Sequence, residues 1–206
     1  ELVDPSIAKT VTAGSHKKVE WWCDTNHPRT TWSTTIKART QDNATGCPYC
    51  APYGFAVLSG WNDLATTHPE LSKELIDPSI AKTVTAGSSK KVEWWCDTDH
   101  PYATWITKLA DRTREKRALG CPYCSNRAVL IGWNDLATTH PELSKELVDS
   151  KVAKTITAGS GKKVEWWCDT NHPYITWTAR VGPRTNEKKG SGCPVCAEGG
   201  YDPSKP

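Results

Sequence analysis

The chain has 206 residues, a formal net charge of +3, nine cysteines, eleven tryptophans, one phenylalanine and no methionine. No apolar run approaches the roughly 20 residues that span a bilayer, so no membrane partner is expected. So small a positive excess excludes a chain that is basic throughout, and any nucleic-acid surface must be local.

The opening words Glu1-Leu2-Val3-Asp4-Pro5-Ser6-Ile7-Ala8-Lys9-Thr10 return at 74–83 and, altered, at 146–155, where they end a longer segment. The chain is therefore expected to begin partway through a repeat. Val11-Thr12-Ala13-Gly14-Ser15 has the punctuation of a turn. Lys17-Lys18-Val19-Glu20-Trp21-Trp22-Cys23 then reads as a strand, with Val19, Trp21 and Cys23 on one face and Lys18, Glu20 and Trp22 on the other. After His27 and Pro28 a second strand is predicted from about Thr30. It places Trp32, Thr34, Ile36 and Ala38 on one face and Ser33, Thr35, Lys37 and Arg39 on the other. The two strands should pair as a hairpin, with Trp21 and Trp32 closing over whatever Cys23 binds.

The strand-to-histidine stretch occurs three times, at a period of roughly seventy residues. Each copy is followed by a Gly-Cys-Pro-x-Cys word. Cys23, His27, Cys47 and Cys50 form the first set, Cys96, His100, Cys121 and Cys124 the second, and Cys168, His172, Cys193 and Cys196 the third. Three thiolates and one imidazole at these spacings are the ligands of tetrahedral zinc. Nine cysteines cannot all pair as disulfides, whereas three zinc sites use every one. Units this small bury too little apolar surface to fold without a metal or cross-links. Three structural zinc ions are thus expected, in a reducing, intracellular and cytoplasmic setting. Each site adds three thiolate charges to a dication, which brings the +3 to about zero.

Between the sets, Gly60-Trp61-Asn62-Asp63-Leu64-Ala65-Thr66-Thr67-His68-Pro69-Glu70-Leu71-Ser72-Lys73-Glu74-Leu75 recurs letter for letter from Gly132 to Leu147. Pro69 at a first helical position predicts a short helix, with Leu71 and Leu75 on one face docking against a neighbouring module. His68 and His140 have no metal-spaced companions and are read as structural or capping residues. The repeat boundaries divide the chain into 1–57, 58–130 and 131–206.

The copies differ most between the second Trp and the second cysteine pair. One feature persists there: Arg39-Thr40, Arg112-Thr113 and Arg184-Thr185. A continuing strand would turn each Arg outward beside Lys37, Lys108 and Arg180, with Arg114 and Arg117 adding charge in the second copy. Together with Lys17, Lys18, Lys90, Lys91, Lys162 and Lys163, these are the candidate nucleic-acid contacts. The alternative is that the Arg residues pair with Asp24, Asp97 and Asp169, or cap the knuckle. No catalytic metal signature, phosphate loop or nucleophile triad is present, so these residues are not expected to form an enzyme or hold a small-molecule substrate.

The residues Val11–Ser15, Trp21–His27 and Cys47–Cys50, with their two later copies and the linkers Asn62–Leu75 and Asn134–Leu147, resemble the tandem treble-clef or zinc-ribbon-like repeats of bacterial and phage proteins. That resemblance implies small α+β modules, three treble-clef-like fingers of hairpin plus short helix joined by helical linkers. It further implies a DNA-binding array that adjoins a nuclease domain in a larger protein. The alternatives are a protein-interaction or virion-structural array, or one that associates with RNA. The sequence departs from the family in having Asn26, Asp99 and Asn171 before the histidine, and Ala51-Pro52-Tyr53-Gly54 is poor material for the helix a treble clef places after its second ligand pair.

Overall fold

The computed structural model describes residues 1–23, 25, 27–50, 56–96, 98, 100–168, 175–186 and 190–197. Each repeat builds one antiparallel hairpin. β1 (Lys18–Trp22) pairs with β2 (Thr31–Thr35), β3 (Lys91–Trp95) with β4 (Thr104–Lys108), and β5 (Lys163–Trp167) with β6 (Thr176–Arg180). Side chains alternate across a pleated strand, so Val and Trp fall on the buried face while the Lys and Glu between them stay exposed. The register sets Trp21 opposite Trp32, Trp94 opposite Trp105 and Trp166 opposite Trp177.

The chain divides into two compact units, Glu1–Trp95 with Thr104–Leu119, and Cys96–Ala103 with Gly120–Pro206. The first holds β1 to β4 and the second holds β5 and β6, so the packing units do not follow the sequence repeats. In the first unit a small core of Val19, Trp21 and Ile36 lies under β1–β2, and a larger one of Leu64, Leu75, Ala81, Val84, Val92, Trp94 and Leu109 lies under β3–β4. The second unit repeats the larger pattern with Leu136, Leu147, Ala153, Ile156, Val164, Trp166 and Val181. Both larger cores draw residues from the linkers, which are part of the fold rather than spacers. Leu75 and Leu147 also bridge to Trp94 and Trp166 on the free side of β3 and β5.

The second strand of each hairpin is shorter than its alternation predicts. β2 stops at Thr35, whose hydroxyl accepts the Ala38 N–H at 3.2 Å and starts a helical turn over Ile36–Thr40. Comparable turns occupy Leu109–Thr113 and Val181–Arg184. The threonine of the repeated Arg-Thr pair ties this turn down. Thr40, Thr113 and Thr185 donate at 2.6 Å to the carbonyls of Ala13, Ala86 and Ala158, inside the glycine-containing turn before the hairpin.

The short helix expected at Pro69 is present, and a further turn precedes it. Asp63 caps a turn at Leu64–Thr67, and a second turn follows at Pro69–Ser72; Asp135, Leu136–Thr139 and Pro141–Ser144 repeat the arrangement. An aspartate immediately before Leu64 is a stronger start signal than a proline five residues on, because its carboxylate satisfies orphan N–H groups directly. His68 and His140 fall between the two turns, and neither side chain caps; each Nδ1 sits 3.0 Å from the hydroxyl of Thr67 or Thr139.

Asp63 and Asp135 are both only 1% exposed. Asp135 accepts the Gly132 N–H at 2.5 Å, the Thr138 N–H at 3.0 Å and the Thr138 hydroxyl at 2.8 Å. Gly132 must sit at φ +82° to aim its N–H there, a conformation that disfavours any side chain. Burial opposes the Asp135 charge, but these donors outweigh it and lower its pKa below 3.8. A lowered folded pKa stabilises the charged form. The contribution is therefore complete above about pH 4 and is lost as the pH falls through the folded value. Asp135→Ala is expected to destabilise β5–β6 by about 2–3 kcal/mol, because it removes the cap and strands buried N–H groups. Native-state hydrogen exchange at the β5–β6 amides measures this, and exchange unchanged from the parent would refute it.

Candidate metal centres

Each centre starts where a hairpin strand runs out. Cys23 follows Trp22 at the end of β1, and Cys23, His27 and Cys47 are buried while Cys50 is exposed. Their donor atoms all lie within 4.8 Å of one another. Cys23 Sγ stands 3.5 Å from Cys50 Sγ, and Cys47 Sγ stands 3.4 Å from His27 Nε2. In the second centre the matching distances are 3.7 Å for Cys96–Cys124 and 3.4 Å for Cys121–His100. In the third, Cys168, Cys193 and Cys196 converge, with 3.7 Å between Cys168 and Cys196. His172 lies outside the described residues, as do Asp24, Asp97, Asp169 and Ala51–Gly54.

These distances fit a metal rather than cross-links. A disulfide holds its sulfurs at about 2.0 Å, whereas zinc with bonds of about 2.3 Å to sulfur spaces tetrahedral neighbours roughly 3.7 Å apart. The histidine tautomer also fits. His27 Nδ1 donates to the Pro28 carbonyl at 2.8 Å and His100 Nδ1 to the Pro101 carbonyl at 2.8 Å, because a carbonyl can only accept. That leaves Nε2 with a free lone pair facing the thiols, the usual arrangement for a ligating imidazole.

The thiols compete for charge. Burial works against the Cys23 thiolate, yet the Thr25 hydroxyl and backbone N–H, with help from Cys50 and Cys47, outweigh it and bring its pKa down to about 7. Burial raises Cys50, the Thr25 hydroxyl offsets part of this and Cys23 and Cys47 add to it, pushing the pKa up to about 11. In the second centre Cys96 likewise falls to about 7, but there it is Cys121, the counterpart of Cys47, that burial pushes up to about 11. A dication at the centre is what allows such a set to be fully ionised. With four protein donors a site keeps no open position, so zinc here would serve structure and not activate water.

The geometry, two complete donor sets and a third set of thiols on a repeated hairpin, matches the comparison with known families. Residues 4–53, 71–127 and 143–199 match a family described as "Probable Treble clef zinc finger domain". The chain belongs to that family. No curated protein matches it. Three structural zinc ions fit this treble-clef array, and in the third finger a short helix at Pro194–Ala197 begins just after Cys193 and carries Cys196.

Several residues that shape the treble-clef centres escape a search for ligands. The Thr25 hydroxyl sits 2.5 Å from Cys23 Sγ and 3.4 Å from Cys50 Sγ, and Thr98 is placed likewise between Cys96 and Cys124. The signal is the threonine two residues after the first cysteine in every copy. His27 meets the edges of Tyr49 and Trp61, with ring centroids at 6.1 and 5.9 Å, and His100 meets Tyr123 and Trp133 at 5.9 and 5.0 Å.

Trp21 and Trp32 close on an arginine, and Trp32 also lines a cavity with Cys47 and Cys50. Arg39 lies 5.1 Å from the Trp21 ring and 5.7 Å from the Trp32 ring. Arg112 is held between Trp94 and Trp105 at 4.7 and 5.3 Å, and Arg184 between Trp166 and Trp177 at 4.8 and 5.2 Å. Their side chains are 14%, 6% and 4% exposed and pair with Glu1, Glu74 and Glu146. The expected outward Arg face is therefore corrected for all three. The helical turn after β2, β4 and β6 swings each Arg inward, where the repeated Glu of the linker and two indole faces hold it.

The other candidate cations stay on the surface. Lys17, Lys18, Lys37, Lys90, Lys91, Lys108, Lys162, Lys163 and Arg180 are exposed. Arg114 is exposed and paired with Asp111 at 2.5 Å, and Arg117 sits exposed at φ 62°. On the outward strand face, Trp22 lies under Arg29 at 4.9 Å, while Trp95 and Trp167 donate through Nε1 to the Lys73 and Lys145 carbonyls at 2.9 Å. No helix among the described residues is long and apolar enough to cross a membrane.

Proposed function

We propose that the array is a zinc-stabilised, non-catalytic binder of DNA, gripping phosphates through the bases of its hairpins. The observation that supports this most is two pairs of like charges set directly across the strands. Lys91 faces Lys108, and Lys163 faces Arg180. Opposed like charges destabilise a sheet by themselves, and none of these four lies in an ion pair among the described residues. Lys90 and Lys162 extend the two sites. An anion of regular spacing relieves the repulsion and releases counterions as it binds. The targeting role in a larger nuclease-like protein rests on the resemblance to bacterial and phage repeats alone.

A protein partner is the second reading, favoured by Tyr102 and Ile106, which are 72% and 69% exposed. A salt titration of duplex DNA binding separates the two. DNA binding predicts a log–log slope of several units that falls by roughly 0.9 for each cation removed in Lys91→Ala, Lys108→Ala, Lys163→Ala and Arg180→Ala. Absence of binding at low salt, or a slope indifferent to these changes, eliminates the DNA reading. Competition by duplex RNA measures preference between the nucleic acids.

A further inference from the structure

We propose that each of the first two zinc sites governs the folding of the hairpin in the following repeat, through the five residues that open the linker. This coupling does not depend on what the array binds. Its basis is that consecutive residues serve two different places. Trp61 sets its edge against the ligand His27, and Asn62 is wired into the knuckle that carries Cys47 and Cys50. Asn62 Nδ2 donates to the Tyr49 carbonyl at 3.2 Å and the Ala56 carbonyl at 3.0 Å, while its Oδ1 accepts the Leu58 N–H at 2.7 Å.

The next two residues belong to the other hairpin. Asp63 bridges to Thr85, and Leu64 donates its N–H to the Val84 carbonyl at 2.9 Å and is fully buried in the core beneath β3–β4. No spacer separates the two roles, so displacing the knuckle displaces Leu64. The second unit repeats the device. Trp133 meets His100, and Asn134 donates to Tyr123 at 2.9 Å, Ala128 at 3.0 Å and Asn126 at 3.2 Å. Asp135 then bridges to Thr157, and Leu136 donates to Ile156 at 2.9 Å at the centre of the β5–β6 core. Thr157 also reaches back to the Asn126 carbonyl at 3.4 Å.

Metal at one site therefore holds the knuckle in the shape that Trp and Asn recognise, and that shape places the Asp-Leu pair for the next core. Local opening of a protein follows such contiguous packed units. The coupling runs forward along the chain, from the first centre to β3–β4 and from the second to β5–β6.

Hydrogen exchange on the full chain tests this, with zinc content measured in parallel. Cys47→Ser with Cys50→Ser should empty the first site and speed exchange of the β3–β4 amides by about tenfold or more, with β5–β6, one step further along the chain, loosened much less. Asn62→Ala should speed β3–β4 exchange by a similar factor while the chain still binds its full complement of zinc. The proposal is overturned if β3–β4 protection survives loss of the first metal. It is equally overturned if Asn62→Ala leaves β3–β4 unchanged, or if β5–β6 loosens as much as β3–β4 in either variant.

Discussion

Chelation at neutral pH is expected to remove most of the structure around the ligand pairs and to lower stability by about 10 kcal/mol or more per site. That exceeds the net stability of many whole domains, which is about 5–15 kcal/mol. The reason lies in where the apolar side chains are. None of the three cores includes a ligand cysteine, so the segments holding Cys47–Cys50 and Cys121–Cys124 have the metal in place of a core of their own. The β1–β2 hairpin, with only Val19, Trp21 and Ile36 buried beneath it, should fail most completely. The β5–β6 core is larger and should retain residual protection. Tryptophan emission and amide exchange, followed with and without chelator, report both effects. Identical unfolding curves in the two conditions would contradict a structural metal.

Arg112→Ala is expected to cost about 3–4 kcal/mol in the β3–β4 hairpin. Removing one member of a buried ion pair costs about 3–5 kcal/mol, but the stranded Glu74 keeps 27% exposure and partial hydration, which favours the lower end. Loss of the guanidinium from between two indoles adds to it. Arg112→Lys keeps the charge without the planar fork and should lose about 2 kcal/mol. Glu74→Gln should also destabilise, since it leaves an almost fully buried guanidinium without its countercharge. Exchange at the Trp94 amide measures all three. Under conditions where the variants remain folded, the salt slope of DNA binding should not change. If Arg112→Ala abolished DNA binding while Trp94 exchange stayed as in the parent, the arginine would belong to the binding face after all.

The ligand sets and the hairpins were legible because their chemistry is local. Cysteine and histidine spacing fixes a donor set, and alternation of Val and Trp with Lys and Glu fixes which face of β1, β3 and β5 turns inward. The inward turn of Arg39, Arg112 and Arg184 was not legible, since it depends on β2 ending at Thr35 and on partners such as Glu74 that stand far away in sequence. The same holds for Asn62 and Asn134. They stand in a linker that recurs letter for letter, but only the fold shows that they bind the preceding knuckle. Persistence of a charged residue across repeats thus carried two meanings, and burial decided between them. Lys18, Lys91 and Lys163 remain exposed, as alternation requires.

The structure around the ligand pairs depends on zinc at the three cysteine-rich centres. Elemental analysis of protein purified without added metal or chelator, combined with mass measurement under native conditions, is the most direct test. The account predicts three zinc ions per chain and nine reduced cysteines on denaturation. Substoichiometric metal in a folded chain, or Cys23 joined to another sulfur, would contradict it.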